Sequence, residues 1–193
     1  MVKADVSSAS DVARLFNTVD AELGRVSVLV NNAGILMTQC RVEDISEERF
    51  MRVLKTNILS CFLCSKEAVR RMSTRRGGSG GAIVNVSSVA SKSGTPNEYV
   101  DYAASKGAVD TFTRGLALEV AEEAIRVNAV RPGLIYTEMH ASGGEPYRVA
   151  RLQSKIPLQR GGQPSEVAEA IFWLATEKSS FVTGSFINAA GGL

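Results

Sequence analysis

Short β-branched runs alternate with longer amphipathic stretches along this chain, and that alternation restricts the fold more than any other feature. Val26–Val30 (V-S-V-L-V), Ala82–Val86 (A-I-V-N-V), Ile125–Val130 and Ser185–Ala189 read as strands, and Val2–Asp5 reads as the end of another. Between them, Asp11–Leu23 carries Val12, Leu15, Phe16, Val19 and Leu23 on one stripe, the helical period. Ser8 with Asp11 three residues on predicts its cap, and Gly24 its stop. Glu47–Arg75, bent near Asn57, and Tyr99–Glu122 read as two long helices. Pro164–Thr176 reads as a third, with Pro164 at its first turn. Strand following helix in this way predicts an α/β fold, a doubly wound parallel sheet with helices on both faces. The whole chain, 1–193, reads as a single domain.

Ligands of such sheets bind beyond the carboxyl ends of the strands. Asn31-Asn32-Ala33-Gly34 follows one strand, Ser87-Ser88 the next, and Pro132-Gly133 a third, so the three should line one crevice. The glycine run Gly77–Gly81 precedes a strand rather than opening a helix, and reads as a connector.

Tyr102 and Lys106, in Y-A-A-S-K, are four residues apart and share a helix face. Tyrosine titrates near ~10, and lowering that by roughly three units takes about 4 kcal/mol in favour of the phenolate. A cation about 4 Å away supplies that much at an intermediate dielectric. Spacing alone leaves open a pair that merely shares a solvated face. The other tyrosines lack the partner: four residues after Tyr99, Tyr136 and Tyr147 stand Ala103, His140 and Arg151.

Several other chemistries find no support. Net charge is +2, which exerts no strong pull toward nucleic acid or membrane. The first residues lack the apolar core of a signal peptide, so the expected compartment is the cytoplasm. Cys61 and Cys64 form a C-x-x-C inside a helical pattern, without a second such pair, and read as partly buried helix residues. His140, the single histidine, has no G-x-S-x-G serine to partner, and no metal is expected.

Taken in order, Asp5, N-N-A-G at 31–34, Asn57, N-V-S-S at 85–88, Tyr102 with Lys106, R-P-G at 131–133, Thr137 and V-T-G at 182–184 resemble the short-chain dehydrogenase/reductase family over essentially the whole chain. The stretch Tyr99–Gly144 is similar to its glucose-dehydrogenase-like branch. The resemblance implies a Rossmann-type sheet and a nicotinamide cofactor, NAD or NADP, with the choice left open. It implies hydride transfer between nicotinamide and a secondary alcohol or ketone, on a sugar-, steroid- or small carbonyl-like substrate. Tyr102 would be the general acid/base. Lys106 would lower its pKa and bind the nicotinamide ribose, Asn57 would kink its helix and position a water, and Ser88 would hold the substrate oxygen. Ser88 lies 14 residues before Tyr102, about one more than is common in the family, so Ser87 stays as the competing serine. Asn31, Ala33 and Gly34 would pack along the adenosine side, and Asp5 would accept from the adenine amino group. Pro132, Gly133, Ile135 and Thr137 would cradle the nicotinamide. Glu138–Arg160 would be a substrate lid hinged at Gly143-Gly144, with Met139, His140 and Tyr147 as candidate contacts.

The family also begins with a strand and a glycine-rich turn that receives the pyrophosphate at a helix N-terminus. This chain holds no such turn. Two β-α units, roughly 60 residues at about 30 each, are expected to be absent, which leaves Val26–Val30 as an exposed apolar edge. One reading is a full enzyme truncated at its N-terminus; the alternative is a genuinely shortened protein. By function, a non-catalytic binding or regulatory protein on the same scaffold is the rival class. Ala190 stands where an acidic residue often precedes the last Gly-Gly. The two long helices predict a four-helix contact between subunits, in a homodimer or homotetramer.

Overall fold

Ser8 opens the first helix, α1 (Ala9–Leu23), by accepting from the Asp11 amide at 3.5 Å, and Gly24 closes it at φ +84°. The computed structural model describes residues 1–193. After α1 come β1 (Val28–Asn31), α2 (Glu47–Leu54) and α3 (Ser60–Met72). They are followed by β2 (Gly81–Val86), the short α4 (Ala90–Ser93), α5 (Val100–Val120) and β3 (Ile125–Pro132). Two short helices, α6 (Met139–Ser142) and α7 (Arg148–Leu152), precede α8 (Pro164–Ala175) and β4 (Phe186–Ala189).

The strands form one parallel sheet in the order β1-β2-β3-β4. Helices α1, α3 and α5 bury Val12, Phe16, Ala68, Met72 and Val120 against Ile83 and Val127 on one face. Helix α8 buries Val167 and Leu174 against Val84 and Val130 on the other. The side chains of β2 and β3 are therefore covered on both faces, as their continuous apolar runs require.

Three expectations change. The long helix expected over Glu47–Arg75 ends at Met72, and α2 and α3 are joined by a π-helical turn over Lys55–Leu59 that contains Asn57. The bend expected near Asn57 thus takes the form of a local widening of the helix. Val2–Asp5 is irregular rather than the end of a strand. The reason is hydrogen bonding: β1 pairs with β2 on one side only, and Val2–Asp5 has no strand beside it. Third, β3 runs past Val130 to Pro132 and carries the sheet into the site. As an edge, β1 leaves Val28 42% and Val30 39% exposed.

Candidate active site

Sheet pairing continues beyond β2 and aims the serine pair. The Ser87 amide donates to the Val130 carbonyl at 2.8 Å, and the Val89 amide to Pro132 at 3.1 Å. Alternation then sends the two serines to opposite sides. Ser87 is buried, and its Oγ donates to Asp110 Oδ1 at 2.6 Å, with Arg131 Nη2 2.9 Å from Asp110 Oδ2. Ser88 instead lines a cavity of about 470 Å³ together with Tyr102. Its Oγ also accepts from the Ala90 amide at 3.1 Å, at the start of α4.

Helix α5 presents Tyr102 and Lys106 one turn apart. Its first turn is held by Asp101, whose Oδ1 accepts from the Tyr102 amide at 2.9 Å and whose Oδ2 takes Arg49 Nε from α2 at 2.8 Å. Lys106 is buried, and its Nζ donates to the Val86 carbonyl at 2.7 Å. Burial lowers its pKa to about 8, with Cys61 and Asp110 opposing. Nζ lies 5.6 Å from the centre of the Tyr102 ring.

This geometry corrects one sequence-based expectation. Tyr102 was expected to titrate low because of Lys106, yet burial holds its phenol above the ordinary value, and the Ser88 hydroxyl works the other way. An ammonium committed to the Val86 carbonyl and facing the ring does not offset the loss of water around the phenol.

Asn57 reaches the site because the π-helical turn offsets it from the α-helical register. Its Oδ1 accepts from the Ile35 amide at 2.8 Å, and its Nδ2 donates to the Ile35 carbonyl at 3.1 Å and to Ser105 Oγ at 3.0 Å. The loop after β1 is thereby clamped onto α5. Gly34 sits in that clamp: a Cβ built on it would stand 3.5 Å from both Asn57 Oδ1 and Lys106 Nζ. The absent side chain leaves the Gly34 backbone facing both groups without a Cβ between them.

The remaining predicted residues divide. Gly133 lines the Ser88–Tyr102 cavity, and a Cβ there would come 2.8 Å from Ala190 Cα. Ile135 turns its side chain into the core beside Val84 and Val167, so only its backbone can face a ligand. Thr137 and Ala33 are exposed, and Pro132 is partly covered. Asn31 spends its amide on Ser65 Oγ and Asn85 Oδ1, at 3.0 and 2.8 Å, and ties β1 to β2 and α3. Asp5 is exposed, and its Oδ1 accepts from the amide and hydroxyl of Ser7, which lower its pKa. Among the cover residues, Met139 and His140 line the cavity, whereas Tyr147 is 81% exposed and does not. Cys61 and Cys64 are buried on α3, with thiols pushed up to about 12 and about 11 by burial.

Sequence reading missed Leu36, Tyr99 and Arg148, which also line the cavity. Gly143 packs on Leu36, and Arg148 is paired with Glu98 and Glu145, so these contacts hold part of the 138–160 segment beside the cavity. Only a buried-arginine argument could have flagged Arg148, and its acidic partners are 50 and 3 residues away.

The model for enoyl-(acyl carrier protein) reductase matches residues 1–193. The chain belongs to the short-chain dehydrogenase/reductase family, whose members are NAD(P)-dependent oxidoreductases. It is 62% identical over 192 residues to the uncharacterized oxidoreductase YgfF of Escherichia coli, covering 100% of this chain and 78% of that protein. It is 42% identical to a glucose and ribitol dehydrogenase homolog of Oryza sativa subsp. japonica, covering 88% of this chain but only 57% of the relative. Among solved structures, a short-chain type dehydrogenase/reductase from Mycobacterium marinum superposes with a TM-score of 0.90 at 35% identity, over 99% of this chain and 74% of that one. "ElxO with NADP Bound" gives 0.89 at 35% identity, over 99% and 76%. The chain thus spans about three-quarters of some relatives and less than two-thirds of others. These neighbours confirm the Rossmann-type fold that the family resemblance implied.

Proposed function

We propose that this domain interconverts a secondary alcohol and a ketone with NAD(P)(H), using Tyr102 as the proton-transfer group. One observation carries the reading: the hydroxyls of Ser88 and Tyr102 meet at one cavity, with Lys106 and Asn57 behind them and Gly34 open beside both. The nicotinamide supplies or receives the hydride when bound. Ser88 holds the substrate oxygen by a hydrogen bond. Tyr102, kept protonated at neutral pH by burial, gives its proton to that oxygen as the ketone is reduced. Lys106 has three N–H donors and spends one on Val86, so two are free for the ribose and for the phenol. Asn57 holds the loop that borders the nicotinamide side.

Asp5, Asn31, Ala33, Pro132, Ile135 and Thr137 complete the proposed cofactor contact, Asn31 and Ile135 through their backbones. Either NAD or NADP is taken, and the NADP in the ElxO neighbour supports the second. No helix is long and apolar enough to cross a membrane, and the proposed compartment is the cytoplasm. The exposed face of α2, α3 and α5, with Met51, Leu59 and Phe62, is proposed as the contact that makes a homodimer or homotetramer.

The test is a nicotinamide fluorescence titration followed by turnover of a ketone panel. Tyr102→Phe should keep the circular dichroism spectrum and lose at least about 100-fold in kcat. Unchanged turnover in that variant removes Tyr102 from the chemistry, and absence of cofactor binding defeats the reading as a whole.

A further inference from the structure

Asp110 follows Lys106 by one turn of α5 and Tyr102 by two. Its Oδ1 accepts from Ser87 Oγ at 2.6 Å. Its Oδ2 accepts from Arg131 Nε at 3.0 Å and from Nη2 at 2.9 Å. The Arg131 guanidinium also lies 3.9 Å from the centre of the Phe186 ring on β4. The two charged side chains are only 13% and 15% exposed, so water screens this pair less than an ordinary surface ion pair. It is a fixed tie, made of charge-assisted hydrogen bonds.

The partners of Asp110 stand next to the residues of the site. Ser87 precedes Ser88, and alternation along the strand makes the direction of one set that of the other. Arg131 precedes Pro132-Gly133. Val86, just before Ser87, accepts from Lys106 Nζ at 2.7 Å. Consecutive residues at the end of β2 therefore grip consecutive turns of α5: Val86 takes Lys106, and Ser87 takes Asp110. The end of β3 joins through Arg131.

The same carboxylate meets an electrostatic need. Burial lowers the Lys106 pKa to about 8, with Cys61 and Asp110 opposing. Burial pushes the Cys61 thiol on α3 up to about 12, so it is neutral where Lys106 titrates. Tyr102 is held protonated as well, and Val86 and Asn57 offer only a neutral carbonyl and amide. The negative charge acting on the ammonium is that of Asp110.

We propose that Asp110 is a positioning residue: it ties the strand ends bearing Ser88 and Pro132-Gly133 to α5, and gives the buried Lys106 ammonium its counter-charge. The proposal rests on the alcohol–ketone reading of the same site.

Two changes that break the same ion pair separate charge from structure. Asp110→Asn removes the counter-charge, whereas replacing the arginine unmasks it. Arg114, one turn further along α5, stands 5.9 Å from the Phe186 ring, so the arginine variant is Arg114→Met with Arg131→Met, which leaves no substitute cation there. Lysine labelled with ¹³C at Cε reports the titration, and the Lys106 signal is assigned by its loss in Lys106→Met. The Lys106 midpoint should fall by about 0.5 pH unit or more in Asp110→Asn and rise in the arginine variant. Damage to the fold alone would move both in one direction. In turnover of the ketone panel, Asp110→Asn should lose about tenfold in kcat with KM little changed. Its alkaline limb should move to lower pH, because Lys106 loses its proton sooner. If Asp110→Asn does not fold, the triple variant Asp110→Asn, Arg114→Met, Arg131→Met leaves no unpaired charge, and its midpoint should lie below that of the arginine variant. A midpoint that is unmoved or moves the same way in both variants, or an unchanged kcat in Asp110→Asn, overturns the proposal. If no ketone is reduced by NADH or NADPH, the alcohol–ketone reading fails, and the lysine titration alone then upholds or overturns the role of Asp110.

Discussion

Lys106 illustrates how one residue can serve the site at the expense of the fold. Its pKa falls from the unfolded value near 10.5 to about 8 because the ammonium is buried. Between those two values the unfolded chain holds a proton that the folded chain has released, so stability rises with pH across that window. Below pH 8 the buried charge costs the native state its full penalty. Urea unfolding of wild type and Lys106→Met at pH 7.5 and 9.5 should show wild type gaining on the variant as pH rises; a constant difference would mean that the lysine is not desolvated. Gly34 is the complementary case. An added Cβ would meet Asn57 and Lys106 at an ordinary 3.5 Å, so the fold should tolerate Gly34→Ala. If Gly34 borders the cofactor as proposed, the added methyl should weaken cofactor binding by about tenfold. A fluorescence titration giving wild-type affinity would show that the nicotinamide lies elsewhere.

Elements carry these residues to their positions through a few polar ties. Asn57 joins the π-helical turn, the loop after β1 and Ser105 on α5 with three hydrogen bonds. Asn57→Ala removes the partner of the part-buried Ile35 amide, and should lower stability by about 1–3 kcal/mol and kcat by tenfold or more. Chemical unfolding and turnover measure the two separately, and a loss in only one would disconnect the clamp from the chemistry. The bend near Asn57 was legible in sequence, but its π-helical form was not, since it depends on what Asn57 can reach across the fold. Likewise, Tyr102 and Lys106 were legible as a pair from spacing. The direction of the phenol pKa was not, because desolvation depends on residues far away in the chain. Ser88 was favoured over Ser87 in the sequence, but only pairing with β3 placed Ser87 beneath the sheet end on Asp110 and Ser88 at the cavity.

At the scale of the whole molecule, two surfaces leave apolar side chains in water. One is the β1 edge with Val28 and Val30, and a paired neighbour strand is what such an edge favours. The other is the α2–α3–α5 face, where Phe62 packs edge-on against Phe112 with ring centres 6.1 Å apart. If that face joins subunits, Phe62→Lys should convert the assembly to monomers in light scattering while leaving the helix content intact. Wild-type mass in the variant would assign the face to solvent.

Strand and helix order, the parallel sheet, the family and the Tyr102–Lys106 pair were all determined by the sequence itself. They depend on local periodicity and fixed spacing, which each segment carries within a few residues. Only the tertiary structure decided that Val2–Asp5 is no strand, that Ile135 faces the core and Asn31 the helices, and that Arg148 and His140 border the cavity. Those outcomes depend on which surfaces meet, and a buried partner, a neighbouring strand or an excluded water lies many residues away along the chain.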